Sequence, residues 1–122
     1  VKCMKENKHY TIFGYKGKQV RDNIHSSDLV NAFWHYHQNP KPAVVYNMGG
    51  GLQSNCSMLE AIEISENIAQ KKLNYRYIDE TRKGDHKWYI SNLSKFQNDY
   101  PNWEISYGIE DILLDIYLAQ KS

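Results

Sequence analysis

Two basic stretches of this 122-residue chain carry residue types that could hold an anion. In Gln19-Val20-Arg21-Asp22-Asn23 an arginine stands on a short extended segment among polar neighbours. In Arg82-Lys83-Gly84-Asp85 an arginine and a carboxylate share one tight loop, where glycine allows backbone to approach a ligand closely. A guanidinium fork holds a phosphate through two parallel hydrogen bonds, and a neighbouring carboxylate accepts from ribose hydroxyls. Taken singly, each stretch reads more simply as a surface ion pair.

Other candidate chemistry falls away on spacing. His35 and His37 are two apart and so point to different sides of a helix. With His25 and His86 in other segments, packing rather than metal binding is expected of the histidines. Cys3 and Cys56 have neither zinc nor redox-pair spacing. Cys56 precedes a helix start but has no assignable base, and reads as a small buried apolar residue. Gly49-Gly50-Gly51 is followed by no Lys-Ser or Lys-Thr, so it marks a tight turn. No Gly-x-Gly-x-x-Gly follows a strand, and no dinucleotide site is expected within the chain. Tyr117 and Lys121 have Tyr-x-x-x-Lys spacing, but Tyr117 falls on an apolar stripe near a fraying end, and the match reads as coincidence.

The elements that must position these groups follow from periodicity and breakers. Val1–Glu6 reads as the last turns of a helix with no capping residue ahead of it, which suggests further sequence upstream. Tyr10–Phe13 is β-branched and aromatic and closes at Gly14, and Val20–Ile24 is a second extended piece. Ser26, Ser27 and Asp28 offer caps for a helix whose apolar stripe is Leu29, Val30, Phe33, Tyr36 and His37. Pro40 and Pro42 stop it. Val44–Asn47 has strand composition. Ser57-Met58-Leu59-Glu60 has the form of a capping box, opening a helix that is apolar on two sides. Tyr75–Asp79 and Trp88–Ile90 are further strands, and Ser94–Tyr100 is a short helix closed by Pro101. A last helix carries Ile109, Ile112, Leu113, Ile116 and Tyr117 on one stripe. This is an α/β pattern of short strands with about four helices, too small for a complete doubly wound sheet.

Bulk properties bound the rest. The length suits a single region over residues 1–122 with one modest core. A formal net charge of +1 leaves no positive field, so nucleic acid is not an expected partner. No apolar run approaches the roughly 20 residues that span a bilayer. With no signal peptide and only two cysteines, the cytoplasm is the expected compartment. Three Trp and ten Tyr suit cores, interfaces and nucleobase stacking.

In order, these pieces resemble extended short-chain dehydrogenases/reductases, in the branch of NAD-dependent nucleotide-sugar epimerases and dehydratases. The likeness runs from Tyr10 through Asp28, then Val45–Gly51, Ser57–Glu60 and Arg82–Asp85, and covers nearly the whole chain. It implies a C-terminal, substrate-binding lobe, with NAD and the catalytic residues belonging to an N-terminal Rossmann part that these residues do not include. It further implies substrate-binding roles for Thr11 and Phe13 beside the nucleobase and for Arg21 on the diphosphate. Asn23 and Tyr89 would face the substrate, Arg82 would be a second diphosphate arginine, and Asp85 would hold the ribose. A CDP-sugar is the favoured substrate, epimerised through transient oxidation at C2, and the 122 residues alone are expected to be inactive. Self-association is expected, through an apolar seam. Rival readings are a stand-alone nucleotide-binding or adaptor module, and an oligomerisation domain built on the aromatics.

Overall fold

Short runs, several of them β-branched or aromatic, form the strands, and amphipathic runs form the longer helices. The computed structural model describes residues 1–80, 83 and 86–120. Among them lie five α-helices: α1 (Lys2–Lys5), α2 (Ser26–Gln38), α3 (Met58–Ala69), α4 (Ser94–Asp99) and α5 (Ile109–Ala119). The strands are β1 (Tyr10–Phe13), β2 (Val20–Asp22), β3 (Asn55–Ser57), β4 (Tyr75–Ile78) and β5 (Trp88–Tyr89). They form two small sheets. In one, β1 pairs parallel with β4, Tyr10 opposite Tyr75 through Phe13 opposite Ile78. In the other, β2 is central, antiparallel to β3 and parallel to β5. The described residues therefore hold a small α/β unit without a complete Rossmann sheet. None of their helices is long and apolar enough to cross a membrane.

The capping box at Ser57 forms as the sequence predicts. Glu60 N–H donates to Ser57 Oγ at 3.1 Å, and Ser57 N–H donates to the Glu60 carboxylate at 3.2 Å. The other predicted cap does not form. Helix α2 is capped by His25, whose Nδ1 accepts from Ser27 N–H at 3.0 Å. Its buried face also departs from the expected stripe. Asp28 and Ala32 are buried, while Val30 and Phe33 remain more than 60% exposed. The reason lies in what each side chain touches. The Asp28 carboxylate accepts from Ser106 and Tyr107 N–H at 3.0–3.1 Å. Ala32, having only a methyl group, lets Leu93, Phe96, Tyr100 and Trp103 close into the core. Trp103 is 2% exposed, and its indole N–H donates to Asp28 O at 3.0 Å. A small residue and a carboxylate face inward here because backbone donors are waiting for them.

Residues 44–47 do not form the predicted strand. They run in irregular backbone, and their composition is spent on the core instead. Tyr46 packs edge-on against Phe96 at 5.2 Å and donates its hydroxyl to Asp99 at 2.6 Å.

Candidate functional site

Side chains alternate across a strand, so β2 and its flanks divide into two sets. Asp22 faces the framework. Its carboxylate accepts from Gly51 N–H and Ser91 N–H, each at 3.0 Å. The triple glycine wraps this carboxylate closely. A Cβ at Gly49 would lie 2.3 Å from Asp22 Oδ2, and one at Gly50 would lie 2.0 Å from the carbonyl oxygen of Asn23. Gly51 adopts φ +60°, which favours glycine. Burial pushes the Asp22 carboxyl up, but the donors on Gly51 and Ser91 outweigh it and hold the group below its ordinary value.

Gln19, Arg21 and Asn23 form the other set, and they line a cavity of about 450 Å³. Thr11 and Phe13 of β1 share it, and Ile109, Ile112, Leu113 and Ile116 of α5 give it an apolar wall. Arg21 is the only charged residue among the described residues that line it. Its Nη1 donates to Val20 O at 2.9 Å and its Nη2 to Gln19 Oε1 at 3.5 Å. The Asn23 amide donates back to Arg21 O at 3.5 Å. Cys56, in register with Arg21 on β3, also lines the cavity. Burial, with Glu60 nearby, raises its thiol pKa and favours the neutral, unreactive form.

The apolar wall is tied to α2 and α1. His25 Nε2 and Asp115 Oδ2 are 2.8 Å apart, and the His25 ring stacks on Tyr107 at 4.2 Å. Asp28 fixes Ser106 and Tyr107 just ahead of α5. At the far end, the Lys5 ammonium lies 4.2 Å from the Tyr117 ring centroid and donates to Gln120 O. Tyr117 thus packs under a cation.

Four of the seven expected site residues, Thr11, Phe13, Arg21 and Asn23, come together in this cavity. Tyr89 stands in register beside Arg21 on β5, half exposed, and is not among the residues lining the cavity. Arg82 and Asp85 lie outside the described residues. The sequence reading passed over Gln19, although 19, 21 and 23 share the strand period. It placed Ile109, Ile112, Leu113 and Ile116 on one stripe of α5 without giving them a part in the site; all four line the cavity. A second hollow of about 620 Å³, between Gly50–Gln53 and Trp88–Gln97, has among its described lining residues no charged side chain and none of the expected site residues.

Residues 1–49 match the family model described as the NAD dependent epimerase/dehydratase family. In this match and in its fold the chain is similar to extended short-chain dehydrogenases/reductases of the nucleotide-sugar epimerase and dehydratase kind. Among individual relatives, CDP-paratose 2-epimerase of Salmonella typhi is 25% identical over 113 residues, covering 91% of this chain and 32% of that protein. The solved UDP-glucuronic acid 4-epimerase from Bacillus cereus, in complex with UDP-glucuronic acid and NAD, superposes with a TM-score of 0.79 at 26% identity. The match covers 92% of this chain and 35% of that one. For dTDP-glucose 4,6-dehydratase from Bacillus anthracis, in complex with NAD, the TM-score is 0.73 at 25% identity, covering 91% and 34%. The chain spans about a third of the length of the relatives it matches.

Proposed function

We propose that this chain is the sugar-nucleotide-binding portion of an NAD-dependent nucleotide-sugar epimerase, acting at C2 of a CDP-sugar in the manner of CDP-paratose 2-epimerase. One observation carries the reading: the Arg21 guanidinium lines a cavity with no carboxylate among the described lining residues, flanked by amides and faced by aliphatic side chains. That lining suits a ligand with an anionic group beside a less polar body. Arg21 offsets diphosphate charge, Thr11 and Asn23 meet polar edges, and Phe13 with the α5 wall covers a ring face. Binding energy from this remote part of the substrate orients the reacting sugar carbon elsewhere.

The residues described here do not fit NAD. Helix α3, whose N-terminus meets the cavity, already uses its first-turn amide on its own capping box, and the sequence has no dinucleotide fingerprint. In the proposed enzyme NAD and the catalytic residues lie outside this chain, so these residues alone bind without turning substrate over. A stand-alone nucleotide-binding module is the second reading, favoured by Thr11, Phe13, Arg21 and Asn23 lining one cavity.

The test is calorimetric titration of the full-length protein with CDP, UDP, GDP and ADP. CDP is expected to bind tightest, and Arg21→Ala to weaken it by about 1.5–3 kcal/mol, the range for hydrogen bonds to charged groups. Unchanged CDP affinity in that variant would remove Arg21 from the site. Epimerisation of CDP-sugar with NAD by the full-length protein, against binding alone, separates enzyme from module.

A further inference from the structure

The hollow on the other side of β2 is walled by two segments that one carboxylate holds together. Asp22 accepts from Gly51 N–H on one wall and from Ser91 N–H on the other, each at 3.0 Å. The fold therefore sets their separation before any ligand arrives. The hollow shares no lining residue with the cavity around Arg21. Leu52 and Trp88 stand on its opposite walls, 84% and 65% exposed. Its polar lining includes the amides of Gln53, Asn92 and Gln97, none of them enclosed. The side chains of Gln53 and Gln97 have no hydrogen-bond partner among the described residues. Asn92 Oδ1 accepts from Ser94 N–H at 3.0 Å, which leaves its Nδ2 to donate. No charged side chain is among the described lining residues, and the lysines close in sequence are engaged elsewhere. Lys87 lies over the Tyr15 ring at 5.0 Å, and Lys95 donates to Val45 O at 2.8 Å.

We propose that this hollow is a binding site for a neutral saccharide, with one face of a pyranose ring stacked on Trp88 and its hydroxyls met by Gln53, Asn92 and Gln97. A sugar ring carries apolar C–H bonds on its face and hydroxyls around its edge. An indole plane, apolar and electron-rich on its face, suits the first, and amides suit the second. A hydroxyl both donates and accepts, and so does a side-chain amide, whereas a carboxylate only accepts and an ammonium or guanidinium only donates. A phosphate or carboxylate ligand would enter without a cation among the described lining residues to offset its charge. A wholly apolar ligand would cover the amides and leave them unpaired. The site does not depend on nucleotide binding around Arg21.

The test is saturation-transfer NMR of the full-length protein with maltose, cellobiose, lactose and mannobiose, and with cytidine alongside. At least one disaccharide is expected to receive saturation, strongest at the axial protons of one ring face. Trp88→Ala is expected to abolish that transfer. Gln97→Met, which keeps the side chain's length and removes its amide, is expected to weaken the same sugar by about threefold or more, the scale of one neutral hydrogen bond. Tm and CDP affinity should stay at wild-type values in both variants, because Trp88 is already in solvent and neither residue lines the cavity around Arg21. No transfer to any of the four sugars overturns the proposal. So does transfer to cytidine alone, or a sugar that binds Trp88→Ala as it binds wild type. If Trp88→Ala lowers Tm or CDP affinity along with sugar binding, Gln97→Met decides, and an unchanged sugar affinity there overturns the site. A protein that binds the sugar but not CDP keeps this site and loses the nucleotide one; the reverse result does the opposite.

Discussion

At the scale of single residues, the site depends on alternation along seven residues of chain. Gly17, Gln19, Arg21 and Asn23 reach the cavity, and Asp22, between the last two, ties the strand to the glycine turn and to Ser91. The alternation follows from the strand period, whereas Arg21 stood out in the sequence by its residue type and Asn23 by the family resemblance. The partners of Asp22 were not legible there, because they arrive from 29 and 69 residues away. Asp22 titrates below its ordinary value in the fold. A carboxyl lowered by folding stabilises the native state fully above its unfolded pKa, about 3.9, and loses that contribution as pH falls through the folded value. Asp22→Ala leaves two backbone amides without their acceptor and is expected to cost about 1–3 kcal/mol at neutral pH. Urea denaturation as a function of pH checks this: the gap between wild type and variant should narrow as pH drops below the ordinary carboxylate range. A gap that does not change with pH would mean that the charge on Asp22 contributes nothing.

At the scale of elements, what the sequence made legible was local and what it hid was tertiary. The capping box of α3, the proline stop after α2 and the strands at 10–13 and 75–78 depend on neighbours within a few positions, and all appear. The face of α2 depends instead on Trp103 and on the amides of Ser106 and Tyr107, which reach Asp28 from more than seventy positions away. Large apolar side chains pointed the periodicity argument to the wrong side. Residues 44–47 show the same limit, since strand composition becomes a strand only where a ladder partner is present. The glycine turn at 49–51 gives this scale its prediction. An added methyl at Gly50 would strike two backbone carbonyls, Asn23 O at 2.0 Å and Ser54 O at 2.3 Å, and neither can swing aside like a side-chain tip. Gly50→Ala is therefore expected to destabilise by at least about 1–3 kcal/mol, as overpacking does, and to weaken nucleotide binding by moving Asn23. Gly108→Ala is the control. Its Cβ would meet only Asp111 Oδ2, at 3.8 Å, and the loss of a glycine N-cap costs no more than about 1 kcal/mol. Thermal melts of both variants decide it; a well-tolerated Gly50→Ala would show that the turn packs less tightly than these distances require.

At the scale of the molecule, the unusual feature is apolar surface left open beside a closed core. Val30, Phe33 and Trp34 occupy neighbouring positions of α2, and each is more than half exposed, while the opposite face of the same helix closes over the core. The Trp34 ring leans on His37 at 5.8 Å, continuing the aromatic strip by another turn. Soluble monomers rarely present such a contiguous strip without a partner. The relatives are about three times as long as this chain, so in them most of the protein lies beyond the part that matches. The 122 residues by themselves are therefore expected to self-associate at micromolar concentration. The double substitution Phe33→Glu with Trp34→Glu should return them to a monomer in sedimentation velocity. Because both side chains already sit in solvent, stability should move by no more than roughly 0.5 kcal/mol per site. A double variant that stays associated would place the adhesive surface elsewhere, for example at Leu52 and Trp88, which are also largely exposed. One that loses its melting transition would show that this face is packed in solution, with Val30 and Phe33 in the core as their hydrophobic stripe suggests and Trp34 packed beside them.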